Sequence, residues 1–426
     1  MNPDSSHLIL ALLTTPGCVV LLFGTLWFLG FQLTEKFVTR VTSATSIFIN
    51  ILCTTLLWRV LSSDSGVLTA QPGNWFSIGH YGFPLSFRID KLAMPLVMLT
   101  AMLSGTVGAF SARYLHRDPG FFRFFLLLHL FTANSLDLLI AGWEIVGITS
   151  VLLIGFFQYR RDPAKNALRV FGTYRIADLG LLIAVFLSHQ TFGASDWNGM
   201  ISGTWPNFTA RIDGPVAVAM TILLIFAASG KSAQGPFCGW LARAMEGPTP
   251  SSAIFYGAIS IHAGAYLLLR VQPLIVSSSI TSSLVIFIGA TTALLSTLVH
   301  RTCADAKTSL AYAAQTQVGL IFVEIGLGWT HFAMFHLCSH ALLRTLQLLR
   351  TPSMLRDHHR IHAAAGGHRS PTGEHYESIL PRTVQIWLYR VALGRGFYDA
   401  IVDRFILTPI TWFARTLAAL EPGNPR

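Results

Sequence analysis

Apolar runs of about 20 residues follow one another along most of this 426-residue chain, and no other feature narrows its fold as much. A run of that length, wound as a helix, matches the hydrocarbon thickness of a bilayer. In lipid the backbone must satisfy its own hydrogen bonds, which a helix does within one segment. Composition agrees with this reading. Only 12% of residues are charged, against about 25% in soluble domains. The expected fold is an all-α polytopic membrane protein.

Eleven spans are expected, at about 8–31, 43–62, 91–112, 121–134, 137–157, 170–189, 214–242, 252–270, 282–299, 308–328 and 332–349, the seventh of them broken. The formal charge of +10 raises nucleic acid as a partner, but the basic residues occupy short loops between apolar runs. Lys36 and Arg40 follow the first span, and Arg113, Arg117 and Arg123 follow the third. Arg160, Arg161, Lys165 and Arg169 follow the fifth and Arg243 the seventh, while Arg301 and Lys307 follow the ninth. Arg350, Arg356 and Arg360 follow the eleventh. With the N-terminus outside, all of these lie on one side, and the opposite loops near 63–90, 190–213 and 271–281 are poor in Lys and Arg. That alternation is the positive-inside rule, and no nucleic acid is expected. The opening MNPDSSHLILALL has no basic residue before its apolar stretch, so it reads as a first membrane helix rather than a cleaved signal. Cys18, Cys53, Cys238, Cys303 and Cys338 are scattered without a CxxC pair and read as buried thiols.

Past Arg350 the character changes. Residues 351–380 are polar and carry Gly366-Gly367, so a cytoplasmic loop is expected. Its histidines (His358, His359, His362, His368, His375) are irregularly spaced with no completing ligand set, which favours a solvated loop over a metal site. Residues 381–426 mix apolar side chains with Arg390, Arg395, Asp399, Asp403, Arg404 and Arg415. An amphipathic helical segment on the inner surface, or a face for a partner, is expected there, with a short final span over about 405–420 as the alternative.

Charges at membrane depth cost roughly 2.5–3.5 kcal/mol each, so they are rarely idle. Glu144 lies in LLIAGWEIVGITSVLLIGFF, Asp178 in TYRIADLGLLIAVF, Lys231 after PVAVAMTILLIFAAS and Arg344 in FHLCSHALLRTLQLL. His262, Glu324, His336 and His340 add titratable groups in later spans. His336, His340 and Arg344 recur every fourth residue and so share one helix stripe, along which imidazoles can relay protons. The plainer reading is that neutral histidines bond neighbouring helices. Gly235-Pro236, just after Lys231, removes a backbone donor and disfavours helix before it. Broken helices at membrane depth line polar cavities and ion sites. Beside such a break, a lysine and a movable carboxylate can load and release a proton; the plainer reading is a lysine snorkelling to the surface. GKS also occurs in nucleotide-binding loops, but Ile225 stands where GxxxxGK needs glycine.

The long stretch GKSAQGPFCGWLARAMEGPTPSSAIFYGAISIHAGAYLLLR, Gly230 to Arg270, closely resembles the signature of the antiporter-like proton-channel subunits. These are the L, M and N membrane subunits of respiratory complex I and the related Mrp sodium/proton antiporters. GWEIVGITSVLLIGF, DAKTSLAYAAQTQVGLIF and FHLCSHALLRTL extend the resemblance over about 110–350, best to the L type. It implies a Glu144–Lys231 pair across helices, with Asp178 beside it. Lys307 falls at the lysine of the DxK stretch, and His336 and His340 fall at the histidines linking two half-channels. Arg344 stands where L-type subunits usually carry lysine; arginine places charge but hardly releases its proton. With His262 and Glu324 added for their depth in apolar spans, the expected proton path is Glu144, Asp178, Lys231, His262, Lys307, Glu324, His336, His340 and Arg344, with the helix break at Gly235 and Pro236.

Family members continue into a second repeat, whereas this chain passes after Leu349 to a polar stretch and a tail resembling the extreme C-terminus of L-type subunits. A truncated L-like subunit resembles the small membrane subunit of the DAB-type inorganic-carbon transporters. The organisation then reads as N-terminal transmembrane helices (1–112), a proton-translocating domain (113–350), the polar loop (351–380) and the amphipathic tail (381–426). The implied function is to conduct protons or sodium ions in a bacterial inner membrane, powering a large cytoplasmic carbonic-anhydrase-like zinc partner. The alternative is an L-type (chain 5) subunit of an NADH-quinone oxidoreductase-like or Mrp-like complex, and a third reading is a scaffold that has lost conduction. No catalytic residue, metal or cofactor is expected in this chain, since it has no cysteine cluster and no GxGxxG after a strand; zinc is expected only in the partner.

Overall fold

The computed structural model describes residues 3–78, 81–129, 136–192, 200–364 and 379–398, with isolated positions beyond. Helix α1 (Pro3–Phe28) and helix α2 (Glu35–Ser62) open the chain. Thr34 starts α2 by accepting the Phe37 N–H at 3.3 Å, and Glu35 places negative charge in the first turn. Residues 63–90, expected as a loop, form an antiparallel hairpin, β1 (Val67–Ile78) and β2 (Tyr81–Asp90), with Val67 opposite Asp90 and register shifts near Gly73.

Helix α3 (Ala93–Tyr114) follows. Asp90 caps it, Oδ1 accepting the N–H groups of Leu92 and Ala93 at 3.1 and 2.9 Å. The same carboxylate takes both Nη atoms of Arg270, 180 residues away, and Arg88 Nε stands 3.4 Å off. Asp90 therefore fastens the N-terminal helices to the rest of the bundle.

The expected fourth span is a helix of only 8 residues, α4 (Phe121–Leu128); the remainder of that span, 130–134, lies outside the described residues. Helix α5 (Leu136–Ile154) carries Glu144, and α6 (Arg161–Phe192) carries Asp178. α6 begins nine residues before the expected 170, drawing Arg161, Lys165 and Arg169 into its first turns, where nothing in RRDPAKNALR stops a helix after Pro163. A two-residue ladder, β3 (Ile201–Ser202) and β4 (Thr209–Ala210), precedes α7 (Gly214–Lys231). The seventh span is broken as expected: α7 stops at Lys231 and a short helix, α8 (Trp240–Arg243), resumes beyond Pro236.

Helix α9 (Thr249–Arg270) lies at the centre and widens into a π turn over Ser252–Ile259. Helices α10 (Gln272–Val276), α11 (Ser279–His300), α12 (Ala306–Gly326) and α13 (Thr330–Ala364) complete the bundle, and α14 (Arg382–Leu393) belongs to the tail. Small residues let α7 nest between its neighbours: a methyl on Gly230 would overlap Ala177 of α6, and one on Gly264 of α9 would overlap the Ala228 carbonyl.

Among the described residues seven helices are long and apolar enough to cross a membrane: α1, α2, α3, α6, α7, α9 and α11. α5 is apolar but shorter. α12 and α13 occupy the places of spans ten and eleven but interleave polar side chains such as Gln315, Glu324, His336 and His340. The protein is multi-pass and mostly helical. Its main core gathers around α7 and α9, and a smaller one joins α1, α2 and the hairpin. Facing outward, Trp27, Phe28, Phe287, Leu294 and Phe335 are exposed, as lipid-facing side chains are.

Two further expectations are corrected. Of the five cysteines expected to be buried only Cys53 is, with Cys18 exposed and Cys238, Cys303 and Cys338 half-buried. Residues 351–364, expected in a loop, continue α13. Polar residues do not end a helix, and MLRDHHRIHAAA contains no breaker until Gly366-Gly367, which, with His368 and His375, lies outside the described residues. In the tail, Gly396 closes on Leu295 of α11, and the Tyr398 ring covers Gly239 beside the helix break. Most positions after Tyr398, including the alternative span at 405–420, lie outside the described residues.

Candidate functional site

The break after α7 leaves backbone groups to be satisfied at membrane depth, and three neighbouring helices supply the partners. Gln315 of α12 donates through Nε2 to the carbonyls of Ala233 (2.5 Å) and Cys238 (2.8 Å). Thr292 of α11 accepts the Gly235 N–H at 3.0 Å. Ser232 donates to the Ile261 carbonyl at 2.7 Å and accepts the Ala265 N–H at 3.1 Å, so the break is bonded to α9 on both sides of His262. Trp240 Nε1 closes the turn by donating to Gly230 O at 2.8 Å.

Lys231, at the end of α7, is 1% exposed, which excludes snorkelling. Its Nζ has no hydrogen-bond partner among the described residues. Instead it stands 4.2 Å from the ring centre of Tyr174 and 5.4 Å from that of Trp143, on π faces that attract a cation. A methyl on Gly147 of α5 would lie 2.7 Å from Nζ, so the glycine makes room for the amine.

The expected direct Glu144–Lys231 pair is not formed. Arg175 of α6 takes both carboxylates: Nη1 is paired with Glu144 Oε2, and Nη2 donates to Asp178 Oδ2 at 2.8 Å. Trp143 Nε1 donates to the other Asp178 oxygen at 2.5 Å. A planar guanidinium presents separate N–H groups to two carboxylates at once. Arg175 is the residue that sequence reasoning missed. Its signal was a charge three positions before Asp178, on the same face of an apolar helix.

The histidines form two groups. His262 Nδ1 bonds the Ala258 carbonyl at 2.6 Å, which fixes its N–H there and leaves Nε2 as an acceptor. His340 Nδ1 then donates to His262 Nε2 at 2.9 Å, and Arg344 Nε donates to His340 Nε2 at 3.4 Å. His336 bonds Glu324 Oε1 at 2.7 Å through Nδ1 and Gln317 Oε1 at 3.0 Å through Nε2. The His336 and His340 rings are 6.4 Å apart, centre to centre. Thus the expected stripe exists, but it bonds as two sets.

Lys307 joins neither set. Its Nζ donates to the carbonyls of Met245 (2.7 Å) and Gly247 (2.8 Å), tying the start of α12 to the segment beyond the break. A fully buried hydroxyl group also went unread: Ser150 Oγ lies 2.9 Å from Tyr256 Oη and 3.5 Å from Tyr174 Oη, beside the lysine. Among the described residues no three His, Cys, Asp or Glu side chains converge on a metal position.

Residues 133–366 match the NADH:quinone oxidoreductase/Mrp antiporter transmembrane family, and residues 75–125 match the N-terminal family of complex I chain 5. The chain is 32% identical over 351 residues to a probable inorganic carbon transporter subunit, DabB1, of Halothiobacillus neapolitanus, covering 80% of this chain and 61% of that protein. It is 31% identical over 396 residues to NADH-ubiquinone oxidoreductase chain 5 of Talaromyces marneffei, covering 87% of this chain and 58% of the relative. The chain therefore spans about 60% of the length of these relatives. Among solved structures, the Mrp complex from Dietzia sp. DQ12-45-1b aligns with a TM-score of 0.66 at 26% identity, over 80% of this chain and 37% of that one. The membrane-bound sulfane sulfur reductase, an archaeal respiratory membrane complex, shares the fold, with a TM-score of 0.66 at 18% identity over 80% of this chain and 69% of that one.

Proposed function

The chain belongs to the NADH:quinone oxidoreductase/Mrp antiporter family, and on that premise we propose that it conducts protons, or sodium ions, as the membrane subunit of an energy-coupled inorganic-carbon transporter. The observation that carries conduction is Lys231, a buried amine at a helix break with no hydrogen-bond partner among the described residues. Arg175 occupies the two carboxylates nearest to it. When Arg175 holds them, the amine has no counter-charge and gives its proton up. When Arg175 swings away, Asp178 or Glu144 faces the amine and a proton is held there. Ser232 and Gly264 bring α9 against the break, and the His262–His340 pair carries the proton on toward His336 and Glu324.

The inorganic-carbon assignment is supported by the similarity to DabB1 across 80% of the chain. In this reading the membrane is the bacterial inner membrane, the N-terminus is outside and the basic loops face a large cytoplasmic zinc-bearing partner. A second reading, an L-type subunit of a quinone-reducing complex, is favoured by the chain 5 match over residues 75–125.

Purification of the intact complex, together with growth of a deletion strain, separates the two readings. We expect a large zinc protein to copurify and the deletion strain to need elevated CO2. An iron–sulfur assembly copurifying, with growth indifferent to CO2, contradicts the carbon reading.

A further inference from the structure

At the end of the bundle that carries the basic loops, a groove of about 980 Å³ opens between the end of α1, the start of α4 and the turn after α5. Its walls are apolar, and Trp27, Phe31 and Tyr159 stand 66%, 59% and 78% exposed along it. Aromatic side chains of this kind gather where acyl chains meet headgroups. The wall on α1 runs on into Leu21 and Leu22, which are also exposed, so the groove is continuous with a bilayer-facing surface.

Arg123 rises from the first turn of α4 into the groove. Nη2 donates to the Phe156 carbonyl at 2.6 Å, and the guanidinium lies 4.7 Å over the Phe156 ring. Its Nε is shut off from solvent and has no hydrogen-bond partner among the described residues. Arg160 stands beside the groove, 5.3 and 5.4 Å over the rings of Phe157 and Tyr159. The carboxylate in the lining, Asp118, accepts the Gly120 N–H at 2.7 Å and is directed at the backbone.

We infer that this groove seats one anionic phospholipid, its phosphate meeting Arg123 and Arg160 and an acyl chain lying against Phe31, Trp27 and Leu126. Two guanidinium groups held over aromatic rings at headgroup depth match a phosphate diester, and the apolar wall matches the chain attached to it. An apolar protein segment would also cover the wall, but it would leave Arg123 and Arg160 without a complement.

The test uses the full chain in mild detergent, with phosphatidylglycerol or phosphatidylcholine added, read by native mass spectrometry. One phosphatidylglycerol stays bound after phosphatidylcholine has dissociated, and Arg123→Gln weakens its retention about fivefold, as expected for losing one basic contact at an anionic surface. Arg160→Gln gives a second, milder loss that stands even if Arg123→Gln impairs folding. Independently, phosphatidylglycerol brominated on its acyl chain quenches emission that is missing in Trp27→Phe. Equal retention of the two lipids overturns the proposal. So does retention indifferent to both arginine substitutions, or a copurifying protein that excludes lipid from Trp27.

Discussion

The surroundings of Lys231 and the histidine string that begins at His262 are both polar and inside the helix bundle, yet they are built on opposite rules. Around Lys231 the carboxylates are spoken for by Arg175, and the amine itself rests on two aromatic faces without a hydrogen bond among the described residues. Along the string, both nitrogens of each imidazole ring are bonded, and the Ala258 carbonyl sets which way the protons point from His262 to Arg344. A carrier needs one group with two alternative partners, because only then does rearrangement change what it holds. A relay needs fixed partners, because short, aligned bonds are what protons cross. Under the proposed function, that difference would give loading to Lys231 and transmission to His262 and His340.

Removing Arg175 should blur the contrast most. Arg175→Ala frees Glu144 and Asp178 to grip the ammonium of Lys231, leaving the lysine as fully partnered as the histidines. Holding the proton about 3 kcal/mol more tightly slows its release by about a hundredfold, so ion flux through the reconstituted complex falls by about that factor, and Arg175→Lys retains more flux than the alanine. His340→Gln breaks the string but leaves the lysine site intact. A glutamine can hold the bond to His262 but cannot pass the proton, so flux falls by about tenfold while the protein stays folded, as followed by helical circular dichroism.

The smallest effect on flux is expected from a site that belongs to neither region. Asp90→Asn loosens the clamp to Arg270 and leaves transport rates nearly unchanged, but it lowers stability by about 3–5 kcal/mol by stranding a buried guanidinium. Burial works to raise the Asp90 carboxyl, yet Arg270, the capped N–H of Ala93 and Arg88 pull it below the ordinary carboxylate value. The clamp's contribution is therefore complete above about pH 4, the unfolded value, and is lost as pH falls through the lower folded value. Thermal unfolding in detergent from pH 7 to pH 3 should show an acid-sensitive component that Asp90→Asn lacks.

Much of this was legible from the sequence because bilayers impose a simple rule on length and polarity. Gly235-Pro236 marked the break, and the fourfold spacing of His336, His340 and Arg344 marked the stripe, since both signals are local. Arg175 was less legible, because its tie to Glu144 depends on how α5 packs against α6, even though its spacing to Asp178 was in plain view. Asp90 and Arg270 are 180 residues apart, and no local pattern links them. Residues 351–364 misled for a different reason: a polar stretch without an apolar stripe carries no periodic signal of a helix. Gln315 was invisible as a site residue because its partners are backbone groups released by the break, and Ser232 because its partners are backbone groups of α9, 29 and 33 residues on.

The most direct test is proton flux into liposomes bearing the reconstituted complex, followed with a pH-sensitive dye, for the native chain, Lys231→Ala and Lys231→Arg. If Lys231 is the loading group, both variants insert normally and conduct at background, the arginine because it keeps its charge but does not release its proton. Flux in Lys231→Ala equal to that of the native chain would show that the ion crosses without this amine.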